Sequence, residues 1–291
     1  MKAQSMSVNL VGPCNAQCPF CISKVTWKTG IQHNDLLLQN AHKALKYAQY
    51  HNIDTVLITG SGEPTMPKTY PDLRYLLIDV RNIGIPKVEL QTNGVRLIDE
   101  ELLKDLANLG LNTVAISIAS PDAKESANIM KIDFNYWELI EKLKKYGFLV
   151  RISLNMIKDN LKNVDISLAE WAKELKKRGV HQLALRELGL PNIDNIQQDK
   201  QLVKNICDWI QEHKLKERDV NFTLLYDEIE QPDRLLRRLP FGINIYDYHG
   251  LSTCITTCMT DTVNPDEIRS LILQPDGHVY HSWNFEGSIL L

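Results

Sequence analysis

Cys14-Asn15-Ala16-Gln17-Cys18-Pro19-Phe20-Cys21 is the stretch on which the interpretation of this chain turns. It sets three thiols within eight residues at C-x3-C-x2-C spacing. A structural zinc takes four ligands, and an ordinary iron–sulfur cluster takes four cysteines. Three thiolates can instead hold three irons of a [4Fe–4S] cube and leave the fourth iron open to a small molecule. The alternative is a zinc knuckle completed by His33, which lies twelve residues past Cys21 with no second cysteine pair beside it.

The cysteine run follows an apolar segment, 7–11, that has the character of a strand. Further strands are expected at 55–59, 88–91, 113–118, 150–156 and 182–187. Their β-branched and leucine content, with little alternation, suits parallel strands buried on both faces. Helical patterns lie between them, near 35–51, 70–82, 99–109, 135–146, 163–178 and 198–213. Gly110, Gly147 and Gly179 fall where C′ caps of three of these helices belong. Serial β–α units argue for a parallel sheet with crossover helices. The motifs that carry chemistry follow or end strands, which is how barrels place active sites. Periodicity alone does not separate a barrel-like curl from an open doubly wound sheet.

After residue 215 the rhythm stops. A strand is expected at 221–225, a short helix at 230–239, loop at 241–250, and a hairpin over 271–280 turning on Pro275-Asp276-Gly277. The chain therefore divides into a core, 1–215, and a C-terminal extension, 216–291, expected to cover the barrel mouth.

Composition narrows the function classes. Among 291 residues, 44% are hydrophobic and 24% charged, with a net charge of −3, the profile of a globular chain. No long basic run supports nucleic-acid or membrane binding; the denser groups, 142–145 and 173–178, read as solvated helix faces. No stretch of 18 apolar residues is present, and the N-terminus lacks the apolar core of a signal peptide. Six cysteines, three of them clustered, are too few for a disulfide scaffold and point to a reducing, cytoplasmic setting.

With Phe20 in the aromatic slot of C-x3-C-x-aromatic-C, the cysteine run resembles the signature of the radical S-adenosylmethionine (radical SAM) enzymes. The resemblance extends over roughly residues 7 to 190. It implies an α/β fold, a partial (β/α)6 TIM-like barrel whose C-terminal extension contains a β-hairpin. It implies that Cys14, Cys18 and Cys21 ligate a [4Fe–4S] cluster whose open iron chelates S-adenosyl-L-methionine. Reductive cleavage would give methionine and a 5′-deoxyadenosyl radical that takes hydrogen from substrate, in a site closed to water and oxygen. An external electron donor such as flavodoxin or ferredoxin is implied as partner. The layout is most similar to enzymes like the molybdenum-cofactor GTP cyclase, in the SPASM/twitch group, without their full set of tail cysteines. Only thirteen residues precede Cys14, which favours a small-molecule or nucleoside-like substrate. A peptide-modifying maturase, an activase of a glycyl-radical enzyme, and a non-catalytic zinc or iron–sulfur binding module are the alternatives.

The strand ends carry the other expected cofactor contacts. Ser61-Gly62-Glu63-Pro64 resembles the family's GGEP motif, whose backbone carbonyls hold the amino group of S-adenosylmethionine; the plain alternative is a Gly/Pro turn. Thr92 and, more weakly, Asn93 precede Gly94 at the end of the third strand. Ser117 matches the family's strand-four serine, or bonds to nearby backbone. Arg151, Ser153 and Asn155 alternate onto one face. By resemblance Arg151 meets the methionine carboxylate and Asn155 the ribose hydroxyls, while an internal pair of Arg151 with Glu187 or Glu63 is the competing account. Phe20 is expected on the adenine, with Met156-Ile157 nearby, and Arg186 and Glu187 at the substrate. In the tail, Cys254 and Cys258 either join His249, His278 or His281 around a second cluster or are what remains of a lost one; the second account is preferred.

Overall fold

The computed structural model describes residues 3–25, 31–158, 167–190, 200–215, 226–239, 242–257, 268–283 and 286–291. Strands and helices alternate through β1 (Ala3–Leu10), α1 (Asp35–Tyr50), β2 (Thr55–Gly60), α2 (Tyr70–Ile83), β3 (Lys87–Thr92), α3 (Glu100–Asn108) and β4 (Thr113–Ile118). Two helices, α4 (Ala123–Met130) and α5 (Tyr136–Lys145), then precede β5 (Leu149–Met156), α6 (Leu168–Arg178), β6 (Gln182–Glu187) and α7 (Lys200–His213). The remainder adds β7 (Leu235–Arg238), β8 (Asn244–Tyr248), β9 (Leu251–Thr257), β10 (Ile268–Leu273) and β11 (Val279–Tyr280).

All strands among the described residues belong to one sheet, ordered β11-β10-β1-β2-β3-β4-β5-β6-β9-β8-β7. From β10 through β1–β6 to β9 each strand runs parallel to its neighbours, and antiparallel strands flank this stretch. The result is a partial, unclosed TIM-like barrel. The extension from residue 216, expected at the barrel mouth, supplies strands to both edges of the wall: β10 beside β1 and β9 beside β6.

The helices form because their apolar residues recur at helical spacing. In α1, Leu37, Ala41, Ala44, Leu45 and Ala48 are buried against the sheet. Caps fix the ends. Asp122 accepts from Glu125 N at the start of α4, and Ser167 and Glu170 make a reciprocal capping box on α6. Gly110, Gly147 and Gly179 adopt positive φ as expected.

The strands are sorted by face. Met6, Val8, Leu10, Val88, Leu90, Val114, Ile116, Val150, Ile152, Leu183 and Leu185 belong to the apolar core under the helices. The alternate residues face the barrel interior and are largely polar: Ser5, Ser7 and Asn9 on β1, Glu89 and Gln91 on β3, Arg151, Ser153 and Asn155 on β5. The expectation of little alternation is thus corrected. These strands are covered on both faces, but the inner cover is polar.

Three further expectations change. The segment 230–239 is not a helix: after a 3-10 turn at Pro232–Arg234 it becomes β7, because proline disrupts helix continuation and β8 offers a pairing edge. The expected loop at 241–250 contains β8. Helix α4 was not anticipated, although Asp122 with Glu125 three residues on is a start signal. The hairpin turning at Pro275-Asp276-Gly277 forms as β10–β11. The strand expected at 221–225 lies outside the described residues.

Leu90 is fully buried on β3, between β2 and β4. We expect Leu90→Ala to lower unfolding free energy by about 2–5 kcal/mol in urea titration; a change near zero would contradict this core.

Candidate active site

The cysteine loop leaves the C-terminal end of β1 and is held on several sides. Gln17 N donates to Met130 O at 2.9 Å, tying the loop to the end of α4. Phe20 is buried and tilted against Trp209 of α7 with ring centroids 5.5 Å apart. Trp209 in turn stacks on His213 at 4.1 Å. Phe20 joins Val25, Met130, Ile157, Val203, Ile206 and Ile210 in a second apolar cluster, so α7 braces the loop.

The three thiols are unbridged, Cys14 exposed and Cys18 and Cys21 partly buried. Burial pushes the Cys18 thiol up to about 12, with the negative charges of Cys21 and Cys14 adding to the rise. Burial also raises Cys14, whose charge is opposed by Glu63 and Cys21. The three sulfurs thus lie within electrostatic reach of one another. Cys14 Sγ accepts from Ala16 N at 3.4 Å and lies 3.9 Å from Asn93 Nδ2. An all-thiol set with N–H donors on a sulfur fits a cysteine-ligated iron–sulfur cluster. Among the described residues no three His, Cys, Asp or Glu side chains converge on a single ion, and a cubane does not require it, since it offers each thiolate a different iron. His33 is exposed and joins no such group.

Glu63 organises the neighbouring loops. It is buried, and its Oε1 accepts from Thr65 N at 3.0 Å, Thr65 Oγ1 at 2.6 Å and Thr92 Oγ1 at 2.7 Å, while Oε2 accepts from Asn93 N at 2.8 Å. Burial raises its carboxyl above the ordinary value, and these hydrogen bonds draw it back. The carboxylate form accepts all four bonds and leaves no carboxyl O–H in want of an acceptor, since each partner donates. Thr92 Oγ1 also accepts from Gly94 N at 2.9 Å. Asn93 extends the chain of contacts to Asn15 Oδ1 at 2.7 Å. One carboxylate therefore links the loop after β2, the loop after β3 and, through Asn93, the cysteine loop.

Backbone contacts reinforce this join. Ser61 N donates to Leu10 O at 2.8 Å and Glu63 N to Pro13 O at 3.0 Å. A Cβ on Gly62 would fall 2.1 Å from Gly12 O and 2.8 Å from Pro13 O, so no side chain fits there without parting the two loops.

The remaining expected contacts distribute along the inner face. Ser117 pairs in register with Ser153, and Asn155 with Arg186. Ser61 Oγ lies 3.5 Å from Asn9 Oδ1, and Asn9 Nδ2 donates to Gln274 Oε1 at 2.9 Å. Arg151 has an internal partner, but neither Glu187 nor Glu63: Arg151 Nη1 is 2.6 Å from buried Glu89 Oε2, and Arg151 Nε donates to Gln182 Oε1 at 2.7 Å. Glu89 sits one interior row nearer the N-terminal strand ends, so Arg151 is anchored back into the barrel. Glu187 accepts from the Tyr226 hydroxyl. Cys254 lies on β9 in register with Ala184, while Cys258 is outside the described residues. Glu89 and Gln182 escaped notice as site residues, although polar residues at period two in apolar strands were the available signal. Trp209 carried no such signal.

Residues 8–166, more than half of the chain, match the family model described as the Radical SAM superfamily, and the chain belongs to that superfamily. A probable GTP 3′,8-cyclase of Sulfurisphaera tokodaii is 27% identical over 192 residues, covering 64% of this chain and 58% of that protein. A GTP 3′,8-cyclase of Campylobacter jejuni is 27% identical over 179 residues, covering 60% of this chain and 54% of its own. An uncharacterized protein of Methanocaldococcus jannaschii is 31% identical over 115 residues, 39% of this chain and 34% of that one. The chain thus spans between about a third and somewhat over half of these relatives. In fold it resembles native anSMEcpe with bound AdoMet and the Cp18Cys peptide, with TM-score 0.53 and 15% identity over 98% of this chain and 75% of the other.

Replacing Glu63 with the isosteric amide puts its NH2 group against Asn93 N in one orientation and against the three donors to Oε1 in the other. Glu63→Gln should cost about 2–3 kcal/mol in chemical denaturation. Unaltered stability would show that the four bonds do not hold the loops.

Proposed function

We propose that this chain is a radical SAM enzyme acting on a small-molecule, nucleoside-like substrate. The observation that supports it most is the convergence, at the C-terminal ends of β1, β2 and β3, of three thiols with two loops fixed by one buried carboxylate. Cys14, Cys18 and Cys21 would hold a [4Fe–4S] cluster, and the 61–63 backbone with Ser117 and Asn155 would receive S-adenosylmethionine. When bound, the cluster supplies the single electron that splits the cofactor's S–C5′ bond.

The chain's own residues do the rest by position. Glu63 and Thr92 do so from behind, as neither hydroxyl nor carboxylate is free to turn towards a ligand. Gly62 lets the loop after β2 lie directly on the cysteine loop. Asn93, donating towards Cys14, polarises a ligand sulfur, one of the protein's levers on cluster potential. Phe20, wedged against Trp209, fixes the loop between Cys18 and Cys21 and shields it from water. Arg151 is committed to Glu89, so its expected role at the methionine carboxylate would require that pair to open. The exposed edge of Cys14 suits delivery of an electron from an external flavodoxin or ferredoxin. The nucleoside-like substrate is suggested by the named activity of the cyclase relatives.

After anaerobic reconstitution with iron and sulfide and reduction with dithionite, the protein should convert S-adenosylmethionine to methionine and 5′-deoxyadenosine. Cys18→Ala should lose both the cluster absorbance and this turnover while keeping its melting temperature within a few degrees. Retention of a full iron complement in that variant would overturn the ligand assignment, and a wild-type protein that takes up only zinc would favour a binding module.

A further inference from the structure

Arg186 occupies an unusual position. It lies on the interior face of β6, because Leu183 and Leu185 point to the helices. In register it stands between Asn155 of β5 and Thr256 of β9. Its Nε is buried without a hydrogen-bond partner, and among the described residues no carboxylate pairs with its guanidinium. A guanidinium remains charged at any physiological pH. Arg186 as a whole is half-buried, and drawing a guanidinium partly out of water without a counter-charge has a cost.

A second interior group has the same deficit. Ser153 is 3% exposed and its Oγ has no partner. It sits on the neighbouring strand, in register with Ala184, two residues below Arg186. The interior carboxylate of Glu89 is taken by Arg151, Glu63 by its four donors, and Glu187 accepts from Tyr226. More positive charge surrounds this place. Arg269 of β10 is lowered to about 10, chiefly by burial and then by Arg186, with Arg151 contributing. Burial raises the Cys254 thiol, while Arg151, Arg186 and Arg269 all pull it down. A guanidinium nitrogen and a hydroxyl without partners, on neighbouring strands of one face, are the arrangement an anionic ligand completes, through charge-assisted and often bidentate bonds.

We propose that Arg186 and Ser153 form a subsite inside the barrel for an anionic oxygen group of the substrate, a phosphate or a carboxylate. This rests on the reading of the barrel mouth as the reaction chamber. It also selects among substrates: a neutral nucleoside would leave Arg186 uncompensated, whereas a phosphorylated or carboxylated one neutralises it. The subsite lies on β5 and β6, across the sheet from the cysteine loop that follows β1.

The test uses the reconstituted protein saturated with S-adenosylmethionine, titrated by calorimetry with inorganic pyrophosphate and, separately, malonate. At least one anion should bind; pyrophosphate alone marks a phosphate subsite and malonate alone a carboxylate subsite. Arg186→Ala should weaken that binding about ten- to a hundredfold and Ser153→Ala by a smaller factor, while Arg186→Lys retains part of it. S-adenosylmethionine affinity should stay within about twofold in Arg186→Ala. Its melting temperature without anion should hold or rise, since a buried nitrogen without a partner is gone; Arg186→Gln serves as a second variant of closer size. Absence of binding by the wild type, or undiminished binding by both Arg186→Ala and Arg186→Gln, would overturn the subsite. So would a loss confined to S-adenosylmethionine, which would assign the arginine to the cofactor. Failure of the radical reading would appear separately, as no cofactor cleavage by the wild-type protein.

Discussion

A carboxylate buried among four donors is what the arrangement of the site depends on. Glu63 can be enclosed because Thr65, Thr92 and Asn93 replace the water it gives up. Those partners come from two different loops, so satisfying the charge and joining the loops are a single event. Asn93 passes the constraint on to Asn15 and the first cysteine. Gly62 makes the same join possible sterically, since its missing side chain is the space that Gly12 and Pro13 fill. Rigid support of this kind, rather than added contacts, is what a reactive cofactor needs from a protein.

The barrel's inner wall works on the same economy of charge, with a different outcome at each end. Towards the N-terminal strand ends, Arg151 is balanced by Glu89 and Gln182. On β1 and β10, Ser5, Ser7 and Ser270 satisfy one another, and Asn9 bonds Gln274. Towards the C-terminal ends the balance fails at Arg186 and Ser153. A parallel barrel presents its functional groups at that end, so the imbalance falls where a ligand would correct it. Buried polar atoms without partners are rare enough that each calls for a physical account.

Much of the architecture was legible because the strands are short apolar runs separated by capped amphipathic helices. The expected strands 113–118 and 182–187 match β4 and β6 to the residue, and glycines marked three helix ends. The tail was harder. Leu235-Leu236-Arg237-Arg238 has leucines that suit a helix as well as a strand, and it is β8 that makes it a strand by offering hydrogen bonds. Helix α4 is short and carries only Ser126 and Met130 as buried residues, too few to show a period.

For the site, the cysteine spacing by itself determined the thiol triad, because local backbone alone brings three thiols together within eight residues. Likewise Gly62-Glu63-Pro64 announced a special turn through its backbone requirements. Which partner each charged residue meets was decided only by tertiary structure. Glu89 meets Arg151 rather than Glu63 or Glu187 because the pairing of β3, β4 and β5 in one register sets their side chains in adjacent interior rows. Arg186 is left uncompensated by that same register. Local sequence encodes conformation and chemical type, whereas the balance of charge inside a barrel depends on residues far apart in the chain that meet only when the sheet curls.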